Sequence, residues 1–257
     1  MILKRIRPLI LMVLVLLAMS SGCATSKPKA SNDDKLKSWM DVASAALADN
    51  DPIGALQALA EAEKINPDLP EIYFLRTRAF HQKQDFARAL VSIKKFIELE
   101  PKSSDGQLTL GIILMELGKP QEALTPLTNA ANDPLYERAS QAQTNLGILR
   151  YRQGDNKEAE YWFDKAIKES PATACVAYYY TGHLRLKESR FKEAADAYQH
   201  STQQFCGAFG EGFLALGITY QHLKDFDSAR KTYLEVEKRF PNTKLAEQAM
   251  ERLRKLP

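Results

Sequence analysis

The sequence repeats with a period near 34 residues. Small residues Ala43, Thr77, Gly111, Gly147, Gly182 and Gly217 stand 34, 34, 36, 35 and 35 positions apart, and twelve residues after each comes Ala55, Ala89, Ala123, Ala159, Ala194 or Ala229. A unit of this length holds one pair of helices and cannot bury an apolar face alone, so the units must stack. The small residue lets the second helix of a pair approach the first, and bulky residues four and seven positions after the alanine fill the remaining space. Pro67, Pro101, Pro171 and Pro241 close four units, because proline cannot continue a helix. The spacing predicts six helix pairs within residues 36–241, at 36–69, 70–103, 104–139, 140–174, 175–209 and 210–243. Beyond Pro241, Leu245, Ala246, Ala249, Met250 and Leu253 recur at helical spacing, which predicts a capping helix over 244–257. The third unit is irregular. Pro126 falls inside its second helix and Asn132-Asp133-Pro134 lengthens its exit, predicting a kink and a change of superhelix direction near 126–139; a tolerated distortion without functional meaning accounts for the same residues equally well.

The pattern resembles the tetratricopeptide repeat. It matches best in the sixth unit, through Phe213, Leu216, Gly217, Tyr220, Ala229, Tyr233 and Pro241, and least in the second, where Arg76 and Thr77 replace the usual leucine and glycine. The resemblance implies an all-α, right-handed superhelical solenoid whose first helices line a concave face. The inward positions then hold Met40 and Leu47; Phe74; Leu108, Ile112 and Met115; Ile148 and Tyr151; Val176, Tyr179 and Leu186; and Leu214 and Ile218. Arg78, His81, Arg152, His183 and Lys187 interrupt this stripe. Packing between units accounts for any single apolar member, but together they exceed what packing requires. An apolar groove suits an amphipathic helix or an extended apolar peptide.

Ahead of the repeats, Lys4, Arg5 and Arg7 precede the apolar run Leu9 to Met19 and the small residues Ser20, Ser21 and Gly22. This reads as an export signal over residues 1–22, its run too short to span a bilayer permanently. Ser20-Ser21-Gly22-Cys23 resembles the bacterial lipoprotein signal, in which cleavage leaves the cysteine as a lipid-bearing N-terminus; a plain secretory signal with an incidental cysteine is the alternative. Ala24 after the cysteine implies, by that resemblance, sorting to the outer membrane, facing the periplasm. More than one acyl chain would anchor stably. Residues 23–35 contain no apolar side chain larger than alanine after the cysteine and read as a flexible tether. Removing the three leader cations from the formal charge of +3 leaves a near-neutral chain with no general attraction to nucleic acid.

Chemistry-bearing motifs are lacking. His81, His183, His200 and His222 lie in different units with no metal-ligand spacing, and no HExxH, glycine-rich phosphate loop or G-x-S-x-G occurs. The sequence therefore predicts a binding protein, not an enzyme, with no metal, cofactor or small-molecule substrate. Cys175 opens the first helix of the fifth unit and Cys206 ends the second, so an antiparallel pair brings them to one end. In an oxidising compartment a disulfide between them would persist; two buried thiols at packing positions is the alternative.

A lipoprotein built almost wholly of six such repeats resembles the pilotins of type IV pili, the PilF/PilW/Tgl type. Asp133, Leu135, Tyr136 and Asn145-Leu146-Gly147 are similar to that family's "LY…NLG" segment, and the cysteine pair is similar to one in some members. The resemblance implies that the chain helps the secretin, the outer-membrane ring through which a pilus passes, to reach the membrane and assemble. The competing reading is a lipoprotein scaffold for another envelope machine, β-barrel assembly or cell-wall enzymes, on the strength of Phe240-Pro241-Asn242-Thr243 with Ala246 and Ala249.

Overall fold

The computed structural model describes residues 31–257; the leader, Cys23 and the first part of the tether lie outside the described residues. Thirteen α-helices and one 3₁₀ turn make up the regular structure of that span. The helices pair in chain order: α1 (Asn32–Ala48) with α2 (Pro52–Ile65), α3 (Pro70–Gln82) with α4 (Phe86–Leu99), and α5 (Ser104–Glu116) with α6 (Pro120–Ala131). Then come α7 (Ala139–Arg152) with α8 (Asn156–Glu169), α9 (Cys175–Lys187) with α10 (Phe191–His200), and α11 (Gly210–His222) with α12 (Phe226–Arg239). Each second helix also packs on the first helix of the next pair, so the six pairs form a tetratricopeptide-type solenoid. α13 (Lys244–Arg254) closes it, burying Ala246 and Ala249 against the sixth pair.

Three residues join the helices of every pair. The middle one has positive φ in all six turns, at Asn50, Gln84, Gly118, Gly154, Ser189 and Lys224. This left-handed residue ends the first helix and reverses the chain. In four turns the next residue is an aspartate, and Asp51, Asp85, Asp155 and Asp225 each accept a backbone N–H of the following helix's first turn.

The register alanines are all fully buried, and so is the residue four further on: Leu59, Ile93, Leu127, Phe163, Tyr198 and Tyr233. The small partner position explains the fit. A Cβ on Gly147 would lie 2.4 Å from the Phe163 ring, and one on Gly182 would lie 2.6 Å from that of Tyr198. Mostly buried Arg76 and Arg185 cross from one pair to the previous one, pairing with Glu63 and Glu160.

Two expectations need correction. Asn32 to Lys35 belong to α1 and not to a tether, because Ser31 Oγ accepts the Asp34 N–H at 3.0 Å while the Asp34 carboxylate accepts the Ser31 N–H at 3.1 Å, a capping box. The first unit thus starts near 32, not 36. Cys206 does not end α10, which stops at His200; it lies in the 3₁₀ turn Gln204–Cys206, where it forms a disulfide with Cys175 across a Cα–Cα distance of 5.4 Å. In the third unit, α6 carries a buried Pro126 within its span. The expected longer exit turn spans 132–138 and is tied down: Asp133 accepts from Ser104 Oγ and the Leu135 N–H, while Tyr136 and Arg138 both donate to Asp105.

Candidate functional site

The predicted groove residues divide by burial. Met40, Leu47 and Leu108 are 8%, 3% and 0% exposed. They are core residues of the helix packing, so the groove does not include them. Phe74, Ile112, Met115, Ile148, Tyr151 and Tyr179 are half-buried, each packed against the core along one side.

Two places on this surface have distinct character. The first lies between α3 and α5, where a cavity of about 480 Å³ is lined by Phe74, Thr77 and Ile112 below and by Arg78, His81 and Arg138 at its edge. Phe74 also walls a second cavity of about 350 Å³, with Leu69, Pro70 and Phe96, at the opposite end of α3. The Phe74 and Phe96 rings stand 5.0 Å apart, which fixes this dividing side chain. Sequence reasoning missed Arg138, which reaches the cavity from the exit turn of the irregular third unit, and Phe96, which comes from a second helix; nothing in an inward-position rule points to either.

The second place is aromatic. Tyr179 meets His183 edge-on at 4.5 Å, Tyr151 meets Tyr180 at 5.2 Å, and Lys187 Nζ sits 3.9 Å above the Tyr151 ring. That ammonium already covers the Tyr151 face, an attraction of roughly 0.5–1 kcal/mol at an exposed position. Burial, with the charge of Lys187 nearby, holds the His183 imidazole below its ordinary pKa and keeps it neutral near pH 7. Beneath it the Tyr198 hydroxyl is buried with no partner among the described residues, whereas Tyr233, its equivalent one unit later, donates to Gln221. The register residue corresponding to Gln221 is Leu186, which offers no acceptor. Among the described residues no group of three or more His, Cys, Asp or Glu converges on a metal site. Nor is any described helix long and apolar enough to cross a membrane.

Stacked helix pairs with a small residue facing a bulky one, closed by a terminal helix and carrying a partly apolar inner surface, define a tetratricopeptide-repeat solenoid. Two tetratricopeptide-repeat family models match, over residues 108–174 and 211–243. No curated protein sequence matches significantly. Among solved structures the fold is similar to PilF of Pseudomonas aeruginosa, with a TM-score of 0.70, 17% identity, and 86% of this chain and 99% of that one covered. It is equally similar to PilW, described as a widely conserved type IV pilus biogenesis factor, with 0.71, 17%, 84% and 98%. A chain of the APC/C hetero-tetramer Cut9–Hcn1 reaches 0.71 at 18% identity, covering 85% of this chain and 42% of its own. At these identities the likeness is one of fold.

Proposed function

We propose that the protein is a pilotin-type lipoprotein, held at the outer membrane through Cys23, that binds the type IV pilus secretin without catalysing a reaction and promotes its assembly into a multimer. The observation that carries this reading is the match in extent: PilF and PilW are covered almost end to end, whereas the equally similar Cut9–Hcn1 chain is covered over less than half. The half-buried Phe74 and Ile112, facing one cavity between the second and third units, are the docking surface in this reading. Burial of apolar surface there contributes roughly 25 cal/mol per Å² before the cost of association.

A photo-crosslinking residue at position 112 in intact envelopes tests the assignment. An adduct with the secretin is expected. An adduct with a β-barrel assembly component or a cell-wall enzyme, and none with the secretin, would replace the pilotin reading with the scaffold one.

A further inference from the structure

The two cavities that Phe74 separates have opposite charge. At the start of α3 the 350 Å³ cavity is edged by Glu71, Glu100 and Asp105 and by no cation. Toward its end the 480 Å³ cavity is edged by Arg78, His81 and Arg138 and by no carboxylate. Asp105 and Arg138 neutralise each other, with Nη1 to Oδ1 at 2.8 Å. Glu71 and Glu100 are left at one end and Arg78 at the other, none in an ion pair among the described residues. Glu71 and Arg78 are seven residues apart on one helix, about 10 Å at 1.5 Å per residue. That exceeds the Debye length of about 8 Å at physiological ionic strength, so a ligand senses the two ends separately.

We infer that the α3–α5 groove takes an extended segment of a partner protein in which a groove-facing apolar residue is flanked, at alternate positions, by a basic residue on one side and an acidic residue on the other. The inference rests on the groove being the docking surface and specifies its ligand. Two separate cavities, of about 350 and 480 Å³, on either side of one fixed ring suit alternate side chains of an extended chain better than the continuous face of a helix. Side chains on one face of an extended chain alternate, so a basic residue i, an apolar residue i+2 and an acidic residue i+4 face the groove over about 13 Å at 3.3 Å per residue, close to the 10 Å between the charged ends. The basic side chain then lies by Glu71 and Glu100, the apolar side chain against Phe74, and the carboxylate by Arg78 and His81. Complementary charge of this kind fixes register and rejects wrong partners.

Fluorescence anisotropy with the purified full-length chain and three end-capped synthetic peptides tests the inference. The peptides are Ser-Lys-Ser-Leu-Ser-Glu-Ser, its all-acidic form with Glu for Lys, and its all-basic form with Lys for Glu. The bipolar peptide is expected to bind at least tenfold more tightly than the other two. Arg78→Glu should transfer the preference to the all-basic peptide and Glu71→Lys to the all-acidic one; both positions are exposed, and circular dichroism establishes that each variant folds. Equal binding of the three peptides, no binding of any, or variants that keep the wild-type order would overturn it. Failure of the underlying reading looks different: bipolar preference without a secretin adduct removes the pilotin assignment, whereas a secretin adduct with charge-indifferent peptide binding removes this inference alone.

Discussion

Gly182 and Tyr198 show how one side chain's absence places another. With a Cβ at residue 182 lying 2.6 Å from the ring, Gly182→Ala must push Tyr198 out of a fully buried site. Overpacking of this kind costs about 1–3 kcal/mol, so urea unfolding should show that loss, and an unchanged midpoint would contradict the packing described. The Cys175–Cys206 bond acts on the unfolded chain instead. Closing a loop across a sequence separation of 31 stabilises by about 3–4 kcal/mol in the chain-entropy model. Thiol labelling under denaturing, non-reducing conditions should leave both cysteines unmodified, and Cys175→Ser should lower the unfolding temperature. The glycine positions were legible in the sequence because the small-residue register repeats. Core and groove were not, since Leu108 and Ile112 are alike in chemistry and differ in which neighbours happen to cover them.

At the scale of the helix, the three-residue turns carry a local cost. Asn50, Gln84, Ser189 and Lys224 hold a left-handed conformation that glycine adopts freely, as Gly118 and Gly154 do in the equivalent turns. Lys224 lies exposed, so Lys224→Gly should stabilise the sixth pair by up to about 1 kcal/mol, read as a rise in denaturation midpoint. The Glu63–Arg76 pair joins α2 to α3. Its hydrogen bonds hold the Glu63 carboxyl below its ordinary 4.5, against the opposing pull of burial. A depressed pKa contributes stability that is present above the unfolded value and is lost as pH falls through the folded one. Stability should therefore fall below about pH 4.5 in wild type, and less so in Glu63→Gln, which starts lower at pH 7. Identical pH profiles would remove the pair from the account. The start of α1 was hidden in the sequence because the Ser31–Asp34 capping box sits inside a polar run where apolar periodicity has nothing to report.

The whole molecule follows from its repeat: six pairs, one cap and the order of contacts are all consequences of local spacing plus stacking. Arg138's place on the cavity that Phe74 lines is not, because it depends on how the longer exit turn of the third unit folds back toward the second. The proposed function needs an anchor and a cargo. Cys23→Ala is expected to yield unprocessed or soluble protein on fractionation, and a variant that fractionates like wild type would refute the anchor. The most direct measurement is the amount of denaturant-resistant secretin multimer in cells carrying Phe74→Asp or Ile112→Asp, each variant being folded and anchored. The account predicts a marked loss of multimer in both, approaching that of a deletion strain; full multimer in both variants would contradict the groove, and full multimer in the deletion strain would contradict the pilotin function itself.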